Sequence, residues 1–210
     1  MAVDASDTRA KLIAAGERIF ATDGIHGAQM RDIVRAAGQS NDSAVHYHFG
    51  SRQGLLRAIC ERHIEEMEPE RRRRLAAQSP NPELATVVAD LLRPTAQRLR
   101  TLPGRYFLRI TAQLAGHAGV RTGAVPSPVM GPALVEQLEQ VQRLCSQHMP
   151  AELAGERIAI MIGAMTAALA DRAVGVEEGT TFALGEAAFV ENLEAMLVAA
   201  LQAPVPVAVR

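Results

Sequence analysis

Several residue types are scarce in this chain of 210 residues, and each scarcity argues against a class of protein. There is no tryptophan, aromatic residues make up 3%, and the only two cysteines are Cys60 and Cys145. Two cysteines are too few for a disulfide framework, so we expect free thiols in a reducing compartment. The formal net charge is −1, so no overall excess of basic residues indicates a nucleic-acid partner.

Long uncharged apolar runs are also missing. The longest one, from Ile158 to Ala170, lies between Arg157 and Asp171, and it is shorter than the about 20 residues that a bilayer-spanning helix needs. The first residues do not follow the basic, apolar and small-residue pattern of a signal peptide. We therefore expect a soluble, cytoplasmic protein without a membrane partner.

The residues that are abundant favour helices. Hydrophobic residues make up 48% of the chain, and few stretches concentrate the β-branched residues that strands prefer. Apolar residues recur at helical spacing, with glycine and proline between the periodic segments. This pattern predicts an all-α fold whose first seven residues are disordered, with Ser6 or Asp7 as the first N-cap. The predicted helices span residues 8–23, 30–37, 41–48, 51–74, 83–100, 105–117, 132–148, 152–174 and 182–201.

The first three predicted helices have the pattern of a helix-turn-helix domain over residues 1–52. Gly38 ends the second helix, and a short turn with Asn41 or Asp42 as N-cap leads into the third. The third helix then has one outward face, which is able to enter the major groove of DNA. The predicted core of this domain consists of Leu12, Ile19, Phe20, Ile33, Val45, Phe49, Leu55 and Leu56.

An ordered set of motifs extends this interpretation. The motifs are Ala14-Ala15-Gly16-Glu17-Arg18-Ile19-Phe20, Gly24, Met30-Arg31-Asp32-Ile33, Ala36-Ala37-Gly38 and Tyr47-His48-Phe49-Gly50-Ser51-Arg52. In these motifs, residues 8–67 resemble the N-terminal domain of the TetR family of transcription regulators. Gln29 and a longer turn after Gly38 depart from the usual pattern. The resemblance implies a non-enzymatic DNA-binding regulator without a cofactor, in which residues 53–210 form a helical effector-binding and dimerisation domain.

The candidate DNA surface is electrically balanced, since residues 1–52 contain six basic and six acidic side chains. Binding to double-stranded operator DNA must therefore depend on where cations and helix N-termini are placed. Asparagine, serine and histidine can contact base edges, and Tyr47 matches an aromatic residue of the family that contacts the DNA backbone. The alternatives are a plain polar helix face, and simple capping by Ser51 beside a solvated Arg52. The predicted DNA-binding residues are Arg31, Gln39, Asn41, Ser43, His46, Tyr47, Ser51 and Arg52.

The family resemblance also implies a cavity for a small, largely apolar effector in the second domain. Any one of the apolar residues here also fits an ordinary core position. Further polar candidates are Arg109, Gln113 and His117. The predicted effector-binding residues are Leu91, Phe107, Ile110, Thr111, Leu114 and Met130.

The last two predicted helices carry more apolar surface than one protomer needs, which predicts a homodimer with a four-helix bundle at its interface. Small residues such as Gly163 and Ala164 permit close helix approach. A two-fold dimer presents two recognition helices to successive major grooves, and an effector that tilts the fourth helix releases the DNA. The predicted interface residues are Ile158, Ile162, Met165, Leu169, Phe189, Leu193, Met196 and Leu197.

Two further patterns have simpler interpretations. The run Arg71–Arg74 follows several glutamates, which predicts a solvated helix end with ion pairs from Glu68 to Arg72 and from Glu70 to Arg74. Two Cys-x-x-His pairs have zinc-ligand spacing, but they lie far apart in ordinary helical patterns, and we expect no metal site. The chain has no catalytic motif. A repressor is favoured; the alternatives are an activator on the same scaffold, and a helical small-molecule-binding protein or enzyme that does not bind DNA.

Overall fold

The computed structural model of the protein describes residues 2–41, 43–118 and 130–205. Within these ranges every regular element is a helix, so the predicted all-α class is confirmed. Asp42, which is one candidate N-cap, and residues 119–129 of the predicted loop lie outside the described ranges. The helices are α1 (Ala2–Asp23), α2 (Met30–Ala36), α3 (Ala44–Phe49), α4 (Arg52–Ala77), α5 (Leu84–Ala96), α6 (Leu102–Ala118), α7 (Pro132–Ser146), α8 (Ala151–Glu177) and α9 (Glu186–Gln202), with a 3₁₀ turn at Gln97–Arg100.

Four predicted helix starts are wrong: α3 begins three residues later and α9 four residues later than expected, and local interactions explain the earlier starts of α1 and α6. Helix α1 begins at Ala2, so Ser6 and Asp7 lie inside it, where Asp7 forms an ion pair with Lys11 one turn later. Helix α6 begins at Leu102 and continues through Pro103, which the first turn of a helix accepts because its N–H has no intrahelical partner there. The Thr101 hydroxyl accepts a hydrogen bond from the Gly104 N–H at 3.1 Å and so caps this turn.

The segment predicted as one helix from 83 to 100 consists of two elements. The α-helical part ends at Ala96, two residues after Pro94, and the chain tightens into the 3₁₀ turn before α6. In contrast, Pro69 lies inside α4 without ending it. Helix α4 therefore runs without a break from the N-terminal domain into the second half of the chain.

The N-terminal helices pack as the sequence predicts. Seven of the eight predicted core residues are buried, and the eighth, Phe49, is half-buried against the same cluster. The cluster also includes Phe107 and Ile110 of α6. Helix α6 thus packs against α1 as well as against α8, and it joins the helix-turn-helix unit to the rest of the protein.

A second core lies among α5–α9 and contains Leu91, Leu108, Met161 and Leu169. Helix α8 contributes to it and is also, among the described residues, the one helix long and apolar enough to span a membrane by length and composition alone. This is a weak indication, because the core helix of a soluble protein passes the same test.

Two glycines provide a matched test of the backbone. Gly50 ends α3 with a φ of +72°, whereas Gly155 lies inside α8, and neither has another atom within 4 Å of the place that a Cβ would occupy. We expect Gly50→Ala to destabilise the protein by about 1–2 kcal/mol, since an L-residue is strained at positive φ. Gly155→Ala should instead stabilise it by about 0.5–1 kcal/mol, because alanine favours a helix. Urea unfolding followed by circular dichroism at one protein concentration measures the free energy of unfolding of both variants. If both substitutions stabilise the protein, or both destabilise it, this account is contradicted.

Candidate nucleic-acid interface and effector cavity

Helix α3 has a buried face and a polar exposed face. Ala44 and Val45 are buried, while His46 is exposed and Tyr47 keeps 81% of its surface accessible. The Tyr47 ring lies edge-on to His48, with 4.9 Å between the ring centroids. A large aromatic side chain that a protein leaves this open is available to a partner surface. The predicted outward face of the third helix is thus present.

The turn before α3 organises itself through Asn41. Its side-chain oxygen accepts a hydrogen bond from the Ser43 N–H at 2.9 Å, and its backbone carbonyl accepts one from the Ala44 N–H, also at 2.9 Å. Asn41 and Ser43 are exposed. Gln39, in contrast, is half-buried and donates back to the Ala37 carbonyl at 3.4 Å. Both carbonyl oxygens of Asn41 are therefore engaged in the turn, while the residue itself is exposed.

Arg52 and Ser51 lie at the head of α4, where they have structural partners. The Ser51 hydroxyl accepts a hydrogen bond from the Gly54 N–H at 3.0 Å, as an N-cap does. Arg52 Nη1 donates to the carbonyls of Ile25 and His26 at 2.7 and 3.0 Å. Arg52 therefore ties the segment between α1 and α2 to α4 and is not simply solvated. Arg31 is exposed on α2.

An apolar cavity lies among α4, α5, α6, α7 and α8. Its volume is about 60 Å³, which is room for a few water-sized groups. Three of the predicted effector residues, Leu91, Phe107 and Thr111, line it. The other residues that line it are Met67, Arg71, Thr95, Ala115, Leu134, Leu138, Ile162, Met165 and Thr166.

The other three predicted effector residues lie elsewhere. Ile110 and Leu114 face away from this cavity and pack against the N-terminal core. Met130 is 39% exposed and lies in an open surface depression at the start of α7. Phe107 and Ile110, one turn apart on α6, thus share the first core, but only Phe107 also reaches the cavity.

The further polar candidates do not line the cavity either. Gln113 accepts a hydrogen bond from the Ile25 N–H at 2.8 Å, and Arg109 forms an ion pair with Glu177 at 3.3 Å. The His117 side chain lies outside the described part of the chain.

The interpretation of Arg71–Arg74 as a solvated helix end is wrong for Arg71. This residue is only 4% exposed, and it lies on the α4 face that carries Met67 one turn earlier. Its guanidinium donates to the Leu91 carbonyl, the Gln137 side-chain oxygen and the Thr95 hydroxyl at 3.0, 2.7 and 2.8 Å. Burial lowers the pKa of Arg71 to about 10.

The neighbouring arginines follow the predicted ion pairing. Arg72 Nε contacts Glu68 at 3.0 Å and Arg74 Nε contacts Glu70 at 2.7 Å, so both predicted i,i+4 pairs are confirmed. Together with Arg73, which also contacts Glu70, Arg74 lowers the pKa of this carboxyl against the opposing effect of burial.

A buried polar cluster connects α1 with α4 beneath the cavity. His63 Nε2 and Glu17 Oε1 form a short hydrogen bond, and both side chains are at most 2% exposed. Arg62 Nη2 contacts the two carboxylate oxygens of Glu17 at 2.7 and 2.8 Å. The His63 ring stacks on Phe107, with 4.4 Å between the ring centroids. Because Phe107 also lines the cavity, a direct line of contacts joins the cavity to the first helix.

Most of the predicted dimer residues do not form an outer surface. Ile158, Met165, Leu169, Leu193 and Leu197 are at most 6% exposed within a single protomer. They belong to the second core, and Ile162 and Phe189 pack against it. Met196, at 60% exposure, is the one predicted member that points outward. Helical periodicity identified a buried face correctly but assigned it to the wrong partner.

The two Cys-x-x-His pairs do not come together. Cys60 is buried in the first core and Cys145 in the second. Burial raises the pKa of Cys60 to about 12, and the nearby Glu17 carboxylate adds to this effect. Neither thiol is thereby activated as a ligand or a nucleophile. The part of the chain that the structure describes contains no cluster of metal-ligating side chains.

A three-helix unit with an exposed third helix, packed on helices that enclose a cavity, is the arrangement of helix-turn-helix transcription regulators. The sequence profile of the bacterial regulatory proteins of the tetR family matches residues 12–59. The match covers the N-terminal segment, so residues 12–59 are similar to the DNA-binding domain of this family. No curated protein sequence matches it.

Solved structures share the fold across almost the whole chain. A TetR-like transcriptional regulator from Rhodococcus sp. RHA1 has 14% identity and a TM-score of 0.59, over 94% of this chain and 97% of that one. A second Rhodococcus regulator has 17% identity and a TM-score of 0.51, over 94% and 99%. A TetR variant from Acinetobacter baumannii in complex with minocycline has 16% identity and a TM-score of 0.52, over 91% and 94%. At these identities the likeness concerns the fold.

Sequence reasoning missed the residue that gives the cavity its charge. Leu55, Ile59, His63, Met67 and Arg71 follow one another at intervals of four, and all five are buried in α4. This spacing places them near one another on a helix surface, so the period that identifies the apolar face also includes Arg71. The adjacent arginines concealed this signal, because a run of four cations is typical of a solvated surface.

The Glu17 cluster can be tested by removing its negative charge. Glu17→Gln keeps the size of the side chain but leaves Arg62 and His63 without their buried carboxylate, so we expect a loss of about 2–4 kcal/mol of stability. Glu66→Gln is the matched control, since Glu66 pairs with Arg62 and Arg98 at an exposed site and should cost less than about 1 kcal/mol. Urea unfolding at neutral pH measures both variants. Equal losses would show that the buried cluster is no stronger than a surface pair.

Proposed function

We propose that this chain is a homodimeric repressor that binds operator DNA through residues 1–52, and that a small effector bound within residues 53–210 releases it. The observation that carries the proposal is the position of Phe107. Its side chain lines the cavity and stacks on His63, which is hydrogen-bonded to Glu17 of the first helix. A ligand that moves Phe107 therefore acts on the contact between α4 and α1.

The DNA-binding step rests on the exposed edge formed by α2, α3 and the head of α4. Tyr47 and His46 are exposed on the recognition helix, and Asn41 is exposed in the turn before it. Arg31 adds a cation on α2, and Ser51 lies at a helix N-terminus, which attracts phosphate. We assign Arg52 a positioning role, because its Nη1 already holds two backbone carbonyls.

The release step rests on the continuity of α4. This helix carries Leu55 and Ile59 in the N-terminal core and Met67 at the cavity. A tilt of α4 therefore moves the helix-turn-helix unit with it. The effector must bind the tilted state more tightly than the DNA-binding state, since a ligand with equal affinity for both shifts neither. The minocycline complex of the similar Acinetobacter protein supports a small-molecule partner for this fold.

The dimer is assigned to the outer faces of α8 and α9. Ile160 is 53% exposed and shares its face of α8 with the exposed Ala164 and Ala167. On α9 the exposed Met196 is accompanied by the small residue Ala199. Small side chains with a few large apolar ones permit close helix packing, so two helices from each copy can form a four-helix bundle. The protein acts in the cytoplasm without catalysis in this proposal.

The recognition helix is tested with DNA selected from a random-sequence library by the purified full chain. We expect Tyr47→Ala and His46→Ala each to weaken binding by roughly tenfold, which is the typical size of one lost base or phosphate contact. Fluorescence anisotropy at several salt concentrations is the measurement, because phosphate contacts make affinity fall with added salt.

His148→Ala is the matched control for the recognition helix, since His148 is exposed in the turn after α7 and its replacement should leave affinity unchanged. Undiminished binding by both recognition-helix variants would overturn the site. If no DNA shows salt-dependent binding, the chain is a helical binding protein of another kind.

The dimer surface is tested by placing a charge in it. We expect Met196→Glu, alone or with Ala164→Glu, to convert the dimer to monomers at micromolar concentration, because a two-fold axis places each new carboxylate in an apolar interface close to its copy. Leu102→Glu is the control, as this side chain is also open, at 44% exposure, but lies at the start of α6. Analytical ultracentrifugation gives the oligomeric state. A dimer that survives both changes would place the interface elsewhere.

A further inference from the structure

Arg71 is a buried cation whose partners are all neutral. It lines the cavity at 4% exposure, and its three hydrogen bonds reach a backbone carbonyl, an amide oxygen and a hydroxyl. None of the ion pairs formed within the described part of the chain includes it. The nearby Glu68 is engaged elsewhere, since it contacts Arg72 and accepts from the Ala133 N–H at 3.0 Å. Arg71 therefore has no direct ion-pair partner, and the Glu68 carboxylate stabilises its charge only from beyond ion-pair distance.

The Arg71 guanidinium also has N–H groups that none of its three hydrogen bonds uses. Two N–H groups of Nη1 and one of Nη2 are used, and a guanidinium has five. The second N–H of Nη2 and the N–H of Nε therefore remain for another acceptor. With a pKa of about 10, the group keeps its charge at neutral pH despite burial.

The other polar side chains of the cavity already donate their protons to acceptors within the protein. The hydroxyls of Thr111 and Thr166 donate to the carbonyls of Leu108 and Ile162 at 2.8 and 2.9 Å. Thr95 donates to the Leu91 carbonyl at 3.4 Å and accepts from Arg71. All three hydroxyl protons are thus used within the protein. Among the described lining residues, Arg71 alone offers N–H groups to a bound molecule.

We propose that the effector is an amphipathic acid, whose single carboxylate binds Arg71 while its apolar body fills the rest of the cavity. This inference rests on the proposed effector-binding function and names its ligand class. A single negative charge balances a single buried cation, and a carboxylate accepts hydrogen bonds from a guanidinium with good geometry. The remaining lining is mainly apolar, with Met67, Leu134 and Leu138 facing the space that the body of the acid occupies.

The competing interpretation is that Arg71 has only a structural role, here called a strut, in which it holds neighbouring helices together. Its bonds connect α4 to Leu91 and Thr95 of α5 and to Gln137 of α7, and such a role needs no ligand. The two interpretations differ in one measurable respect. A strut gives no preference for an acid over a neutral molecule of the same shape, whereas a carboxylate receptor does.

The experiment compares matched acids and alcohols on the full-length protein. The probes are straight-chain carboxylates from butanoate to decanoate with the primary alcohols of the same lengths, and benzoate with benzyl alcohol. Binding is measured by isothermal titration calorimetry and by the shift in Tm. At the best length we expect the acid to bind roughly tenfold or more tightly than the alcohol, since charged hydrogen bonds are stronger than neutral ones.

Two variants assign the preference to its residue. Arg71→Gln should abolish the difference between acid and alcohol, whereas Arg73→Gln, which changes an exposed neighbour, should retain it. If Arg71→Gln does not fold, the comparison of the probes on the wild-type protein still decides the matter, and Arg71→Lys should retain part of the preference. Equal affinities in the wild-type protein, or no binding by any of the acids, overturn the proposal.

Failure of this inference is distinguishable from failure of the regulatory function. Acids that bind through Arg71 but leave operator DNA bound would support the ligand class and contradict the release mechanism. Release of DNA by neutral compounds alone would support the regulatory function and overturn the carboxylate. DNA binding itself is measured without any of these probes, so the DNA-binding proposal is tested independently of the effector proposal.

Discussion

The buried face of α4 is the constraint on which the other contacts depend. Side chains four residues apart lie near one another on a helix surface, so Leu55, His63, Met67 and Arg71 form one continuous inward line. Its first part packs in the helix-turn-helix core, and its last part lines the cavity. Because Pro69 does not end the helix, both parts belong to one rigid element. A tilt of α4 at the cavity therefore also displaces its end in the helix-turn-helix core.

The two polar residues on this face, His63 and Arg71, have different kinds of hydrogen-bond partner. His63 is hydrogen-bonded to a carboxylate, Glu17, which in turn contacts Arg62 at the protein surface. Arg71 has only neutral acceptors around it. Burying an ionised group without an ion-pair partner is costly, and for Arg71 the nearby Glu68 carboxylate opposes only part of the effect of burial. The fold alone supplies a charged partner for His63, whereas the charged partner that we propose for Arg71 is the carboxylate of an effector.

Helical periodicity predicted which side chains are buried better than it predicted what buries them. Leu193 and Leu197 were correctly placed on an apolar stripe of the last helix, but this stripe packs inside the protomer. The outward face of the same helix contains small residues and Met196, which composition alone does not single out. Likewise, Ile110 and Phe107 both lie on α6, yet only Phe107 reaches the cavity. Helical periodicity predicts that a side chain is buried, but only the tertiary packing shows which helix or cavity it faces.

By itself the sequence determined the helical class and the helix-turn-helix core, and its motifs indicated the TetR family. These properties follow from local spacing, capping and turn residues, which act over one or two helical turns. The tertiary structure alone decided that Arg71 enters the cavity, that Arg52 holds two carbonyls of a distant segment, and that Glu17 meets His63. Each of these contacts joins residues far apart in the chain. Their geometry depends on how whole helices cross, which no local pattern specifies.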